Sequence, residues 1–107
     1  MNRDSVDWGG PIPAVVTPFR ADGAIDETAF RENNARMIAN GATGLLVGGC
    51  TGEFWSMSAE ERCSLYKMAA GGAGDKGPVL AGTGAVTVKE TVDLTNAAKD
   101  AGCDGAV

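Results

Sequence analysis

Short apolar runs alternate along the chain with longer stretches in which apolar residues recur three or four positions apart. The short runs are rich in β-branched residues and bounded by glycine or proline, which predicts buried strands. The longer stretches have the periodicity of helices that bury one face. Strands are predicted over residues 12–16, 44–47, 78–81 and 104–107. Helices are predicted between them, over residues 27–40, 59–70 and 88–101.

Capping residues mark the boundaries of these helices. Asp26 is a suitable N-cap because its carboxylate can accept a free amide of the first turn. Ser58-Ala59-Glu60-Glu61 and Thr87-Val88-Lys89-Glu90 each place a hydroxyl three residues before a glutamate, which is the pattern of a capping box. Glycines are expected to end the helices because glycine tolerates the left-handed backbone found there. These glycines are Gly41, Gly71-Gly72 and Gly102.

The order of elements indicates the α/β class, with a parallel sheet covered by helices. Two architectures fit this order: a doubly wound open sheet, and part of a (β/α)8 TIM barrel. The local pattern does not separate them. In both architectures the functional groups lie beyond the carboxyl ends of the strands. Those segments are Thr17–Phe19, Gly48–Glu53 and Gly82–Gly84.

Composition narrows the classes of function. The 107 residues are the size of one domain, and the net charge of −5 with scattered basic residues argues against nucleic acid or anionic membranes as partners. No apolar run reaches the ~18 residues that a membrane span needs. The chain has no histidine and no Cys-x-x-Cys pair, so no metal site is expected. Three cysteines without a signal-peptide pattern predict a reducing, cytoplasmic location.

The segment Gly48–Glu53 is the most informative of the three strand ends. Its glycines allow the backbone to approach a ligand closely. Cys50 and Thr51 add a thiol, a hydroxyl and backbone amides, which suit a carboxylate or an oxyanion. Glu53 is expected to orient the loop by accepting backbone hydrogen bonds. The alternative is a glycine-rich turn that only packs.

The other candidate groups give weaker signals. Gly82-Thr83-Gly84 is not a complete dinucleotide fingerprint, because Thr87 stands where the last glycine would be. A flavodoxin-like phosphate or nucleotide domain therefore stays a minor alternative. No histidine is present to act as the base for a nucleophilic cysteine, and Cys63 and Cys103 are expected to pack. The lysines are predicted away from the strand carboxyl ends: Lys67, Lys76, Lys89 and Lys99.

Several motifs follow one another along the chain from about residue 11 to residue 107. One is Gly49-Cys50-Thr51-Gly52-Glu53, and the others are Ile12–Phe19, Asp22–Asp26, Gly41–Gly44, Ser58–Arg62, Pro78–Gly84 and Ala101–Ala106. In this order the motifs resemble the dihydrodipicolinate synthase and N-acetylneuraminate lyase family, in which the loop has the pattern Gly-Thr/Ser-Thr-Gly-Glu.

The resemblance implies a (β/α)8 barrel, a homo-oligomer (usually a tetramer) and no cofactor. It also implies that a lysine forms an imine with pyruvate or a related 2-oxo acid, so that a carbon–carbon or carbon–oxygen bond can form or break. Thr51 and Gly49 match positions that bind the substrate carboxylate, and Cys50 matches the catalytic hydroxyl that joins a tyrosine proton relay. Residues 1–107 are then the N-terminal half of the barrel, with residues 1–10 as an arm and the sequence stopping in the fourth strand.

The sequence departs from the family pattern in two respects. A thiol at Cys50 replaces the relay hydroxyl, and thiols are weak hydrogen-bonding groups. The loop is also similar to that of sugar-acid dehydratases of the family, such as 5-dehydro-4-deoxyglucarate dehydratase. The family's lysine and relay tyrosines follow the fourth strand, so this chain alone is not expected to form the imine. A non-catalytic half-barrel that associates through its open edges is the alternative of another class.

Overall fold

The computed structural model describes residues 3–73 and 77–107. In these ranges three α-helices alternate with three short strands. The helices are α1 (Glu27–Ala39), α2 (Ala59–Ala73) and α3 (Val88–Ala101). The strands are β1 (Leu45–Val47), β2 (Val79–Ala81) and β3 (Gly105–Ala106), and short 3-10 turns occupy Arg3–Ser5 and Phe54–Ser56.

The first predicted strand is reduced to a single parallel bridge between Ala14 and Leu46 of β1. The segment still forms two backbone hydrogen bonds with Leu46. The Val15 amide donates to the Leu46 carbonyl, and the Leu46 amide donates to the Pro13 carbonyl, both at 2.9 Å. Prolines at positions 11, 13 and 18 have no N–H and cannot extend such a ladder. The segment therefore pairs where a strand was expected, but only over a short stretch.

The strand order separates the two candidate architectures. The sheet is parallel with the order β1-β2-β3, and Ala14 lies on the far side of β1 from β2. The four segments therefore stand side by side in chain order, without the reversal that defines a doubly wound sheet. This order is that of a (β/α)8 barrel, and the α/β barrel prediction is confirmed.

A side chain caps the start of each helix, but at α3 only half of the predicted capping box forms, because the Glu90 amide donates to the Thr87 hydroxyl at 3.2 Å without the return bond from the Thr87 amide. The Asp26 carboxylate accepts from the Ala29 amide at 3.0 Å. The capping box of α2 is complete, because the Glu61 amide donates to the Ser58 hydroxyl at 3.1 Å and the Ser58 amide donates to the Glu61 carboxylate at 2.8 Å. Helix α3 ends at Gly102 in the left-handed conformation, with φ of 94°. Local sequence thus sets these boundaries.

The predicted end of the second helix at Gly71-Gly72 is wrong, because α2 continues through both glycines to Ala73. Glycine in a helix interior costs about 1 kcal/mol relative to alanine. Helix α2 packs against both α1 and α3, and this packing offsets the cost. Long-range contacts thus override the local signal.

The core lies between the sheet and the three helices. The strand residues that face the helices are buried, among them Leu45, Val47, Val79 and Ala81. Their alternate neighbours Leu46 and Leu80 point to the other face of the sheet and are only partly covered. Within residues 3–73 and 77–107, no helix has the length and apolar character needed to cross a bilayer.

Candidate active site

The loop after β1 is a tight turn fixed by backbone and side-chain hydrogen bonds. Gly48 follows the strand with a positive φ of 66°, which glycine adopts without strain. The Glu53 amide donates to the Cys50 carbonyl at 3.0 Å and closes a four-residue turn. The buried Thr17 hydroxyl donates to the Gly52 carbonyl at 2.7 Å. A hydrogen bond from the end of the first strand segment therefore fixes the position of the loop.

Glu53 does not have the orienting role that was expected of its side chain. Its backbone is left-handed, with φ of 59°, and its side chain caps nothing in the 3-10 turn that follows. The main-chain carbonyl of Glu53 instead accepts from the Ser56 amide at 2.9 Å and the Ser56 hydroxyl at 2.8 Å. The backbone conformation places the carbonyl, rather than the carboxylate, where the turn needs an acceptor.

The loop opens onto a cavity of about 300 Å³ at the carboxyl ends of the strands. Gly48, Gly49, Cys50 and Thr51 all line this cavity, and the Cys50 and Thr51 residues are exposed. The residues predicted for the site are thus brought together at one place. The remaining lining residues are Ala14, Leu46, Phe54, Arg62, Gly82, Gly84 and Val107.

A larger hollow of about 620 Å³ lies at the opposite end of the sheet. Thr43, Pro78 and Asp104, which precede the three strands, line it together with part of the N-terminal arm. Chemistry in parallel α/β folds is found at the carboxyl ends of strands, because the loops there are free to vary. The smaller cavity is therefore the candidate active site.

Two side chains of α2 reach the end of β2 beneath this cavity. Tyr66 is fully buried, and its hydroxyl donates to the Gly82 carbonyl at 2.6 Å. Arg62 is 4% exposed. One of its terminal nitrogens donates to the Gly82 carbonyl at 2.6 Å, and both terminal nitrogens donate to the Gly84 carbonyl at 3.1 Å. Burial raises the pKa of the Tyr66 hydroxyl above its usual value, so it remains a proton donor at neutral pH.

Arg62 and Tyr66 are neighbours of the site that the loop motifs do not indicate. The signal was present in the helical spacing, because Arg62 and Tyr66 lie three positions from Leu65 and Ala69, which are also buried. Positions i, i+3, i+4 and i+7 share one helix face. A charged residue on the apolar face of a helix is the clue that a buried polar contact is needed.

The described lysines do not approach the cavity. Lys67, Lys89 and Lys99 are exposed on helices, and Lys76 lies outside the described residues. Lys89 contacts Asp93 at 2.5 Å, and this hydrogen bond raises the pKa of its amine. A raised pKa disfavours the neutral amine that an imine requires.

The tryptophans, Met57 and the other two cysteines do not line this cavity. Trp8 packs its ring near Gly105 at the start of β3, and its indole N–H donates to the Arg3 carbonyl at 3.0 Å. Trp55 and Met57 line a separate cleft. Cys103 is buried, whereas Cys63 is partly covered. The described part of the chain holds no cluster of histidine, cysteine or acidic residues suited to a metal ion.

Parallel strands in chain order, with a loop-lined cavity at their carboxyl ends, define this chain as part of a (β/α)8 barrel. Comparison with known sequences then gives the family. The sequence model of the dihydrodipicolinate synthetase family matches residues 7–107, and the chain belongs to that family. The expectation drawn from the sequence motifs is confirmed.

Curated relatives include synthases and a lyase. An uncharacterized DapA-like lyase of Rhizobium meliloti is 42% identical over 99 residues, which are 92% of this chain and 33% of the relative. A 4-hydroxy-tetrahydrodipicolinate synthase of Thermus thermophilus is 41% identical over 98 residues, or 92% of this chain and 32% of the relative. The chain thus spans about a third of the length of the curated relatives that it matches.

Solved structures agree with this assignment. Dihydrodipicolinate synthase from Bacillus anthracis superposes with a TM-score of 0.90 at 36% identity, covering 94% of this chain and 35% of the other. YagE from E. coli, a member of the same family solved in complex with pyruvate, gives a TM-score of 0.89 at 37% identity over 92% of this chain and 33% of its own. The fold of the described segment is therefore that of the family.

Proposed function

We propose that this chain carries the substrate-carboxylate loop of a family lyase that acts on pyruvate or a related 2-oxo acid. The observation that carries the proposal is the cavity of about 300 Å³ lined by Gly48, Gly49, Cys50 and Thr51. It lies where barrel enzymes place their chemistry. Family structures from E. coli and Acinetobacter baumannii have been solved with pyruvate, which supports a 2-oxo acid as the ligand class.

In this proposal Thr51 and Gly49 bind the substrate carboxylate. A threonine hydroxyl and backbone amides at a tight turn donate hydrogen bonds to an anion without adding a full charge. Cys50 takes the position of the relay hydroxyl and presents a thiol to the substrate instead. In this proposal, residues 1–107 form an N-terminal arm and half of the barrel. The lysine that forms the imine lies in another segment of the barrel.

A covalent label tests the carboxylate loop directly. 3-Bromopyruvate carries a 2-oxo acid and an electrophilic carbon, so the Cys50 sulfur can form a bond to that carbon as bromide leaves. We expect saturable alkylation of Cys50, mapped by peptide mass spectrometry, and protection by millimolar pyruvate. Thr51→Val keeps the side-chain shape but removes the hydroxyl, and it should raise the half-saturating concentration about fivefold.

Thr91→Val is the matched control, because Thr91 lies on α3 and its hydroxyl donates to the carbonyl of the N-cap residue Thr87 at 3.1 Å. This variant should label like the wild type. Alkylation that rises linearly with bromopyruvate, is unaffected by pyruvate and is equal in Thr51→Val would contradict the proposed role of the loop.

The proposed position of the imine-forming lysine gives a second test. Because the described lysines lie away from the cavity, pyruvate with borohydride should leave the mass of the 107-residue chain unchanged. A longer protein that supplies the lysine should gain a stable adduct under the same conditions. A reduced adduct on the 107-residue chain would show that one of its own amines forms the imine.

The Cys50 thiol favours a second candidate within the same family, a sugar-acid dehydratase. A weak hydrogen-bonding group at this position is poorly suited to a synthase-type proton relay. The two candidates separate by competition: 5-dehydro-4-deoxyglucarate should protect Cys50 at lower concentration than pyruvate if the substrate is a sugar acid. Equal or weaker protection by the sugar acid favours the pyruvate-type reaction.

A further inference from the structure

The Gly82 carbonyl, at the end of β2, accepts two short buried hydrogen bonds from one helix. The Tyr66 hydroxyl and one Arg62 terminal nitrogen each lie 2.6 Å from it. Both donors are buried on α2, one turn apart. The carbonyl uses both of its acceptor positions on these side chains, so its place in the fold is fixed by α2.

The Gly82 backbone in turn lies against the first residues of the substrate loop. A Cβ atom on Gly82 would stand 2.4 Å from the Gly48 oxygen and 2.8 Å from the Gly49 nitrogen, so the two strand ends touch backbone to backbone. The Gly82 amide also donates to the Val47 carbonyl at 2.8 Å. Close-packed interiors transmit small displacements, so a shift of Gly82 moves Gly48 and Gly49.

The charge of Arg62 is more than this packing requires. No carboxylate among the described residues forms an ion pair with Arg62, and its Nε atom has no hydrogen-bond partner. The guanidinium meets carbonyl oxygens and the Phe54 ring, which lies 4.9 Å away. A neutral donor would anchor Gly82 at lower desolvation cost. Arg62 also lines the candidate cavity, where its positive charge favours an anion.

We propose that Arg62 and Tyr66 are positioning residues for the substrate carboxylate, acting through the Gly82 carbonyl on the loop that carries Cys50 and Thr51. The proposal rests on the function proposed above. Tyr66 fixes the position of Gly82, whereas Arg62 fixes it and adds positive charge beside the carboxylate. Neither side chain needs to touch the reacting carbon.

The test compares two alkylating agents at Cys50. Bromopyruvate reports the carboxylate site, and iodoacetamide reports only the access and reactivity of the thiol. Tyr66→Phe removes only the hydroxyl, and Arg62→Lys keeps the charge but removes the forked donor geometry. For each variant we expect the half-saturating bromopyruvate concentration to rise about fivefold relative to the wild type, with the iodoacetamide rate changed less than about twofold.

Thr43→Val is the matched control. It also removes a hydroxyl that bonds a distant carbonyl, that of Gly9 at 2.8 Å, but at the amino end of the sheet. Labelling is measured in buffer where denaturant titration shows each variant to be folded. Equal half-saturation in Tyr66→Phe, Arg62→Lys and the wild type would overturn the proposal, as would an equal rise in Thr43→Val.

The outcome separates this proposal from the proposed function. A wild-type chain without saturable, pyruvate-protected labelling contradicts the function itself. Backbone amide chemical shifts then test the anchor alone: Tyr66→Phe should shift the Gly48, Gly49 and Cys50 resonances more than Thr43→Val does. Resonances that stay in place in Tyr66→Phe would show that Gly82 does not control the loop.

Discussion

At the scale of single residues, the cysteines differ because their surroundings differ. Cys50 is exposed and lines the candidate cavity. Cys103 is buried behind α2, with its sulfur 3.9 Å from the Tyr66 carbonyl. Burial, with a smaller contribution from the nearby Asp104 charge, raises the pKa of the Cys103 thiol from its ordinary 9.0 to about 11. The two thiols therefore suit different roles, one facing ligands and one filling the core.

The raised pKa of Cys103 makes stability depend on alkaline pH. The folded state disfavours the thiolate. The protonated Cys103 thiol therefore contributes fully to stability below pH 9.0, and this contribution is lost as the pH rises towards about 11. The free energy of unfolding, measured by urea titration, should fall over this interval in the wild type. Cys103→Ala should be less stable at pH 7 by about 1 kcal/mol but should fall less steeply with pH.

Cys63→Ala is the control, because Cys63 is only partly covered on α2. This variant should keep the wild-type dependence on pH. A Cys103→Ala profile parallel to that of the wild type between pH 9 and 11 would show that another group causes the alkaline loss.

At the scale of secondary-structure elements, the site is made by strand ends that touch. Gly48 directly follows β1 and Gly82 directly follows β2, and the backbones of the two glycines touch with no side chain between them. Helix α2 contacts this junction because Arg62 and Tyr66 both donate hydrogen bonds to the Gly82 carbonyl. The substrate loop is therefore held by three elements, because the Thr17 hydroxyl adds a contact from the first strand segment.

A methyl group inserted between the strand ends tests this contact. In Gly82→Ala the new Cβ atom meets the Gly48 oxygen at 2.4 Å, and relief requires movement of backbone. We expect a loss of about 2–3 kcal/mol in the free energy of unfolding, the upper range for overpacking. Cys50 labelling by bromopyruvate should weaken in the same variant.

Gly84→Ala is the control from the same loop, because a Cβ atom there meets nothing within 4 Å. Its stability should stay within about 0.5 kcal/mol of the wild type. Similar losses in both variants would contradict close contact with Gly48 as the cause of the loss in Gly82→Ala.

At the scale of the whole molecule, one face of the sheet is covered by helices and the other is open. Val16 is 50% exposed and Val107 is 66% exposed. The sheet also has a short unpaired edge beyond β3 among the described residues. Apolar faces and unpaired edges favour association, and a second copy of the chain offers the same surface.

We therefore expect the 107-residue chain, of 10.9 kDa, to elute from size-exclusion chromatography as a dimer or larger species. Val16→Asp places a charge on the open face and should shift elution towards the monomer. Val92→Asp is the matched control, because Val92 on α3 has the same 50% exposure. Wild-type chain that elutes as a monomer at every concentration would contradict self-association.

Local sequence determined the order of elements, the helix caps and the loop that carries the candidate site. Asp26, Ser58 and Gly102 act on backbone groups within a few residues, so their effects are visible in the sequence. Several motifs in the same order along the chain, the Gly48–Glu53 loop among them, also indicated the family that comparison then confirmed.

Only the tertiary structure decided the features that depend on distant contacts. Strand order required pairing between segments about thirty residues apart, and α2 passes through Gly71 because neighbouring helices pack on it. The Gly82 carbonyl accepts hydrogen bonds from Arg62 and Tyr66, and the Gly82 backbone lies against Gly48; the helical spacing marks the two donors as buried but does not indicate this acceptor. These features depend on the free energy of long-range packing. That free energy offsets the cost of a glycine in a helix and of a buried guanidinium.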